Sequence, residues 1–278
     1  MLAIAALHRA TITITAAESD AEAESKSGNE APAALTYIDT ALQYHNSAFA
    51  PFQLALENIT PANCEAVFAH SIITTVISIA LPQLTNLEKS EGKSPSVTEN
   101  MIIIFELLQG VKRILNISLP WLKAKLFTCR HDFLKDFVSN SDLDNCPCPP
   151  GTTTAFIRLS NLNETLANFD PDQFRINNEA ISLLRRCFSR YASSGEPSAV
   201  LTWISAVGKD FVSCLRRRQP FPLLILMHWG VLLGELDGLM WWAKGSGRAL
   251  VMELLVALPP GVFQWDGAQL WPKESLGV

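Results

Sequence analysis

The chain has 278 residues, of which 18% are charged and 48% hydrophobic, against roughly 25% charged in an average soluble domain. This composition, with a mean hydropathy of +0.17, supplies a sizeable core and excludes a disordered chain, whose signature is the reverse. The net charge of −5 excludes a general electrostatic footprint for nucleic acid, which needs clustered Lys and Arg to displace counterions.

Almost every periodic segment repeats at three and four rather than at two, so the chain is predicted to be all-α, a bundle of about nine to ten helices. Its start, Met1-Leu2-Ala3-Ile4-Ala5-Ala6-Leu7-His8-Arg9, is apolar but has no basic leader before it and no cleavage site after it. It reads as a helix whose beginning is missing rather than as a secretory signal. Thr11-Ile12-Thr13-Ile14-Thr15 alternates, yet it follows a helical pattern and leads into a polar stretch, which favours helix or loop over strand. Residues 16–33 hold five acids and one base among Ala, Ser, Gly and Pro, the composition of a solvated, disordered insertion.

Helices are expected over 33–57 and 61–81, the second with Thr60 as cap and Pro61 at its first position. The uncharged stretch from Ala66 to Leu87 contains His70, several Ser and Thr, and Pro82, and so reads as a core helix rather than a membrane span. Ser96-Val97-Thr98-Glu99 is a capping-box pattern opening a helix that carries Met101, Ile104, Phe105, Leu108, Val111 and Leu115 on one stripe. Further helices are predicted over 121–138 and 153–168, with loops at 87–95 and 139–152. Asp170-Pro171 with Gln173 specifies the start of the next helix, which runs to Ala192 with Phe174, Ile181, Leu184, Phe188 and Tyr191 on its apolar face. One helix entered through Pro197 then places Val200, Trp203, Ile204, Val207, Phe211 and Cys214 together, and closes on Arg216-Arg217-Arg218, where cations meet the C-terminal dipole. The last two helices are expected over 221–243 and 247–258. No internal repeat of fixed period is present.

The chemical motifs are weak. Six cysteines, at 64, 129, 146, 148, 187 and 214, are too sparse for a disulfide scaffold and fit a reducing, intracellular setting. Cys146-Pro147-Cys148 has no second pair with which to build a zinc site. Asn140-Ser141-Asp142-Leu143-Asp144 mimics the start of a calcium loop, but Asn145 stands where the turn glycine belongs and Gly151 where the bidentate glutamate belongs. His131-Asp132 resembles the dipeptide of helical metal-dependent phosphohydrolases without the further ligands they need. No nucleophile elbow, phosphate-binding glycine loop, dinucleotide fingerprint or Asp-Asp-x-x-Asp cluster is present, so an enzyme is disfavoured. The sequons at Asn58, Asn116 and Asn163 matter only in a secreted protein.

The last quarter stands out. Pro220 to Leu233 is apolar on all sides, as a centrally buried helix requires, and five of the seven tryptophans lie after residue 228. His228 and Glu235, seven apart, share a face and could meet as a buried polar pair beside an apolar pocket; a core histidine satisfied by its neighbours is the competing reading.

These residues also carry a resemblance. Leu2-Ala3-Ile4-Ala5-Ala6-Leu7-His8, Ala41-Leu42-Gln43-Tyr44-His45-Asn46-Ser47-Ala48, Asn58 to Ala69, Phe105-Glu106-Leu107-Leu108-Gln109-Gly110-Val111, Pro220 to Leu233, Trp241-Trp242, Gly245-Ser246-Gly247-Arg248 and Trp271-Pro272 occur in an order that runs through nearly the whole chain. In them the sequence resembles the C-terminal regulatory region of fungal binuclear zinc-cluster transcription factors, of the sterol uptake control type. The resemblance implies a single all-α regulatory domain over 1–278 with a hydrophobic cavity, in which a bound sterol or similar lipid holds the parent factor inactive and its loss permits nuclear activation. The six-cysteine zinc cluster and basic linker of such factors are absent from this chain, which reads as a fragment, a truncated gene model or a stand-alone regulatory domain.

The expected partner is therefore a hydrophobic small molecule, with a homodimer or other regulators as further partners. No metal, no cofactor beyond a sterol or other lipid ligand, no membrane span and no direct nucleic-acid contact are expected, and the setting is nuclear or cytoplasmic. No polar motif marks the cavity, so the candidate ligand-binding residues are drawn from the apolar helices: Phe105, Met227, His228, Trp229, Met240 and Trp241. The competing class is a helical interaction protein with a filled core and no cavity of about 300 Å³ or more.

Overall fold

The computed structural model describes residues 1–21, 30–85, 96–126, 151–258, 261 and 265–278. Among them are eleven α-helices, one short 3₁₀ turn and no strand, so the protein is all-α. The contacts group the chain into two compact units.

The first unit comprises Met1–Pro95, Gly110–Leu126 and Met240–Trp242. Its main helices are α1 (Leu2–Ala21), α2 (Glu30–Glu57) and α3 (Cys64–Thr85). Ala3, Leu7 and Ala10 recur at helical spacing on α1 and meet Ile38 and Ala41 of α2 and Ile77 and Leu84 of α3 in one buried cluster. The alanines bring the backbones close, and each buried Leu or Ile contributes about 1.5–3 kcal/mol. The alternating threonines of α1 are absorbed by the helix, because the Thr11 and Thr13 hydroxyls donate to the carbonyls of Leu7 and Arg9 at 3.1 and 3.0 Å.

The start of α3 falls at Cys64, three residues later than the Thr60-Pro61 signal predicts. Pro61 to Asn63 form a turn instead, in which the Thr60 N–H donates to Asn63 Oδ1 at 2.7 Å. The helix then continues past Pro82, whose missing N–H costs one hydrogen bond of the ladder. By length and apolar content α3 is long enough to cross a membrane. Here its hydroxyls fold back on their own helix, Thr74 to His70 O at 3.0 Å, Thr75 to Ser71 O at 3.0 Å and Ser78 to Thr74 O at 2.9 Å.

The second unit comprises Ser96–Gln109, Phe127–Leu239 and Ala243–Val278. It takes the first half of α4 (Val97–Leu126), then α5 (Thr152–Glu164), α6 (Pro171–Ser194), α7 (Ser198–Ala206), α8 (Lys209–Arg216), α9 (Pro220–Gly234), α10 (Ser246–Ala257) and α11 (Asp266–Leu276). Helix α9 is the axis: every side chain from Phe221 to Leu233 is buried, and α6, α8, α10 and α11 all pack on it. Gly230 and Gly234 of α9 lie against Gly247 of α10, where no side chain separates the two backbones.

Local signals place the ends of these helices. Asp170 caps α6 by accepting from the Gln173 N–H at 2.9 Å, Pro171 follows at the first position, and Gly195 closes the helix at φ 65°. The capping box is only half formed, since the Gln173 amide does not reach back. It donates inward to Asn177 Oδ1 at 2.7 Å, and Asn177 in turn donates to Asn163 Oδ1 at 3.0 Å. The third sequon, Asn163, is thus buried within a chain of amides.

At the start of α4 the Glu99 N–H donates to Ser96 Oγ at 3.1 Å, as predicted, but the Glu99 carboxylate leaves the box and pairs with Arg218 at 2.8 Å. Its place is taken by Glu253 of α10, which accepts from Ser96 Oγ at 2.5 Å, Val97 N at 2.5 Å and Thr98 N at 3.2 Å. Burial pushes the Glu253 carboxyl up, and the hydrogen bonds from Ser96 and the first N–H groups of α4 outweigh it, so its pKa lies below the usual carboxylate range. Glu253→Gln replaces one accepting oxygen with a donating amide at a helix N-terminus, and is expected to lower stability by about 1–2 kcal/mol. A urea melt at neutral pH checks this; an unchanged midpoint would show that the cap is replaceable.

Two expectations about helices are corrected, and one helix is added. The segment from Pro197 is two helices, α7 and α8, which meet at 87°. Val207 and Gly208 adopt extended backbone at ψ 141° and 158°, and this breaks the helix. The stripe nonetheless keeps its burial, because Val200, Trp203, Ile204, Val207, Phe211 and Cys214 are all in the core. The helix expected over 221–243 ends at Gly234. A turn through Gly238 at φ 77°, a backbone region open to glycine, redirects the chain into the 3₁₀ turn Trp241–Ala243. Helix α11, over Asp266–Leu276, was not predicted.

Of the acidic segment 16–33, residues 16–21 and 30–33 are the ends of α1 and α2; 22–29 lie outside the described residues. So do the loop 87–95, the Cys146-Pro147-Cys148 pair, His131-Asp132, the calcium-loop mimic and most of the helix expected over 121–138.

Candidate functional site

The six candidate residues fall in two places. Phe105, Met227, His228 and Trp229 lie in the second unit, and Met240 and Trp241 in the first. In the first unit Trp241 is half-buried, packs on the α1–α2–α3 cluster, and stacks on His8 with ring centroids 5.3 Å apart. Met240, just before it, is also half-buried.

In the second unit Phe105, His228 and Trp229 fall in two aromatic groups beside α9, and Met227 is fully buried on α9 itself. One side holds Phe105, Trp203, Phe211 and Trp229. Phe105 meets Trp203 edge-on at 5.5 Å, Trp203 stacks on Trp229 at 5.9 Å, and Phe211 meets Trp203 edge-on at 5.6 Å. Both indoles are satisfied inside the core, Trp203 Nε1 donating to Ala180 O at 2.9 Å and Trp229 Nε1 to Val200 O at 3.0 Å. Phe105 and Trp229 therefore sit in a packed, fully buried aromatic group whose indole donors are both satisfied.

The other side is built around His228, which is completely buried. Its ring stacks on Trp271 of α11 at 5.5 Å and lies 6.5 Å from Phe156 of α5. Phe156 meets Phe188 of α6 edge-on at 5.5 Å, and Phe188 lies 5.8 Å from Trp271, so the four rings form a closed circuit. Trp271 is the half-buried member. Nδ1 of His228 is 2.8 Å from the Leu224 carbonyl, and since a carbonyl only accepts, Nδ1 carries the proton. Nε2 is then a bare acceptor, buried and without a partner. Burial pushes the imidazole pKa down to about 4, the Leu224 bond opposing it in part, so the ring is neutral at physiological pH. The polar pair with Glu235 does not form: Glu235 lies beyond the end of α9 and is exposed.

The first unit holds a polar feature that the sequence reading passed over. His45 of α2 and His70 of α3 stack 5.6 Å apart beside Phe52. Burial lowers the pKa of both, and for His70 the neighbouring His45 adds to this. The signal was present in the matched stripes of α2 and α3, but pairing them requires knowing that the two helices are neighbours.

Among the described residues no three His, Cys, Asp or Glu side chains come together as a metal site would need. Cys64, Cys187 and Cys214 are buried free thiols, and burial pushes Cys187 up to about 12, which leaves it unreactive at neutral pH.

Compared with known proteins, the chain is 25% identical over 241 residues to a Zn(2)-C6 fungal-type transcription factor of Gibberella zeae. The similarity relates it to fungal zinc-cluster factors. The match covers 82% of this chain and 46% of the relative, so the chain spans about half the length of the curated relative it matches. No protein-family model matches the chain, and no solved structure does.

Proposed function

We propose that the chain is a regulatory, non-catalytic region of the fungal zinc-cluster transcription-factor kind, which binds a hydrophobic small molecule of sterol-like type. It acts on RNA polymerase II transcription through the DNA-binding part of its parent factor, inside the cell, and makes no nucleic-acid contact of its own. The observation that carries this reading is the extent of the similarity: most of this chain aligns with roughly half of a transcription factor. The aromatic groups on α9 support the sensing part, since ligand sites are lined by such side chains with a few placed polar groups. The purified chain titrated with ergosterol and other lipids should show a saturable change in Trp fluorescence. A flat response to every lipid would remove the sensing part.

A further inference from the structure

Among the described residues, His228 is completely buried in the ring circuit and leaves Nε2, a bare acceptor, without a partner. An imidazole that donates from Nδ1 to the carbonyl one turn earlier on its own helix turns Nε2 away from that carbonyl. An acceptor left unmet in such a place costs roughly 1–3 kcal/mol, and Phe156, Phe188 and Trp271, the rings around it, have no carbonyl or hydroxyl with which to meet it; the one N–H among them belongs to Trp271, and no hydrogen bond joins it to Nε2. A partner for it would bring a hydrogen-bond donor on an apolar body, and half-buried Trp271 is the ring of the circuit most open to solvent.

We propose that Nε2 of His228 accepts a hydrogen bond from the hydroxyl of the bound small molecule, beside the rings of Phe156, Phe188 and Trp271, so that the ligand is a neutral alcohol rather than a carboxylic acid. This rests on the sensing reading above and adds the ligand's polar group and its partner. A carboxylate is a pure acceptor and meets a bare Nε2 lone pair with repulsion. Protonating the ring to receive it is opposed by complete burial. An ether of the same shape donates nothing.

The test titrates the full chain with ergosterol, ergosterol 3-methyl ether, octadecanol and octadecanoic acid, following Trp fluorescence. A parallel series uses His228→Phe, which keeps a ring for Trp271 to stack on and removes the acceptor. The alcohols should bind about tenfold more tightly than the ether and the acid, as one hydrogen bond to a buried acceptor provides. In His228→Phe the alcohol should lose that advantage while the ether is unchanged. Equal binding of ergosterol and its ether to the wild type, as a water held on Nε2 would give, overturns this inference and leaves the sensing reading standing; that comparison needs no variant. Failure of all four to bind overturns both.

Discussion

Gly247→Ala is expected to destabilise the second unit by about 3 kcal/mol, at the upper end of overpacking costs. A Cβ at Gly247 would lie 2.5 Å from Gly230 O, 2.5 Å from Gly234 N and 2.7 Å from Gly234 Cα. Those atoms belong to the backbone of α9 and cannot turn aside as a side chain can. The two helices must separate, and α9 is the element on which the rest of the unit packs. The reciprocal changes should cost less. A Cβ at Gly230 meets Val251 Cγ2 at 2.9 Å and one at Gly234 meets Leu276 Cδ2 at 2.5 Å, both ends of movable side chains, for which about 1 kcal/mol is expected. Gly110→Ala, in the middle of α4 with no atom within 4 Å of the new carbon, should instead gain about 1 kcal/mol from helix propensity. Urea melts of the four variants give the order directly. A Gly247→Ala protein that unfolds with the wild type would mean that the α9–α10 crossing is looser than described.

The second large effect is on pH. His228 has its pKa lowered to about 4 from 6.5, so between these values the unfolded chain binds a proton that the folded chain refuses. Its contribution to stability is whole above the unfolded pKa and is lost as pH falls from about 6.5 to 4. At 1.36 kcal/mol per unit the loss is about 2 kcal/mol by pH 5 and about 3 kcal/mol by pH 4. His45 and His70, also lowered by burial, act in the same direction, so the wild type alone does not isolate the effect. The difference in stability between wild type and His228→Phe does. The stability of the wild type relative to the variant should fall by about 2 kcal/mol on acidification from pH 7.5 to 5, and a difference independent of pH would contradict the burial of a neutral imidazole.

What could be read from the sequence follows from which interactions are local. The period of three and four, the Asp170-Pro171 start of α6 and the all-apolar α9 depend on neighbours along the chain, and each appears as expected. Ser96 caps α4 as expected, but Glu99 is drawn off by Arg218 and replaced by Glu253, 157 residues from Ser96. No pattern within one helix reveals such an exchange. The same limit explains the split at Val207-Gly208: the apolar stripe reads correctly through a bend because burial depends on where side chains end up, not on an unbroken axis. Helix α11 was missed because Gly267 and Pro272 interrupt its pattern. Without that helix Trp271 could not be placed beside His228, on which it stacks. Of the six candidate residues, His228 alone carries an unmet polar atom in the core, a property that appears only once the Leu224 carbonyl and the three rings are placed around it.

The most direct measurement joins this chain to a heterologous DNA-binding domain and reads a reporter gene in fungal cells with sterol synthesis intact or blocked. The account predicts low output in sterol-replete cells, a clear rise on depletion, and loss of repression in the His228→Phe fusion. Output that is the same in both conditions, from a fusion present at equal level, would contradict a regulatory role governed by an apolar ligand.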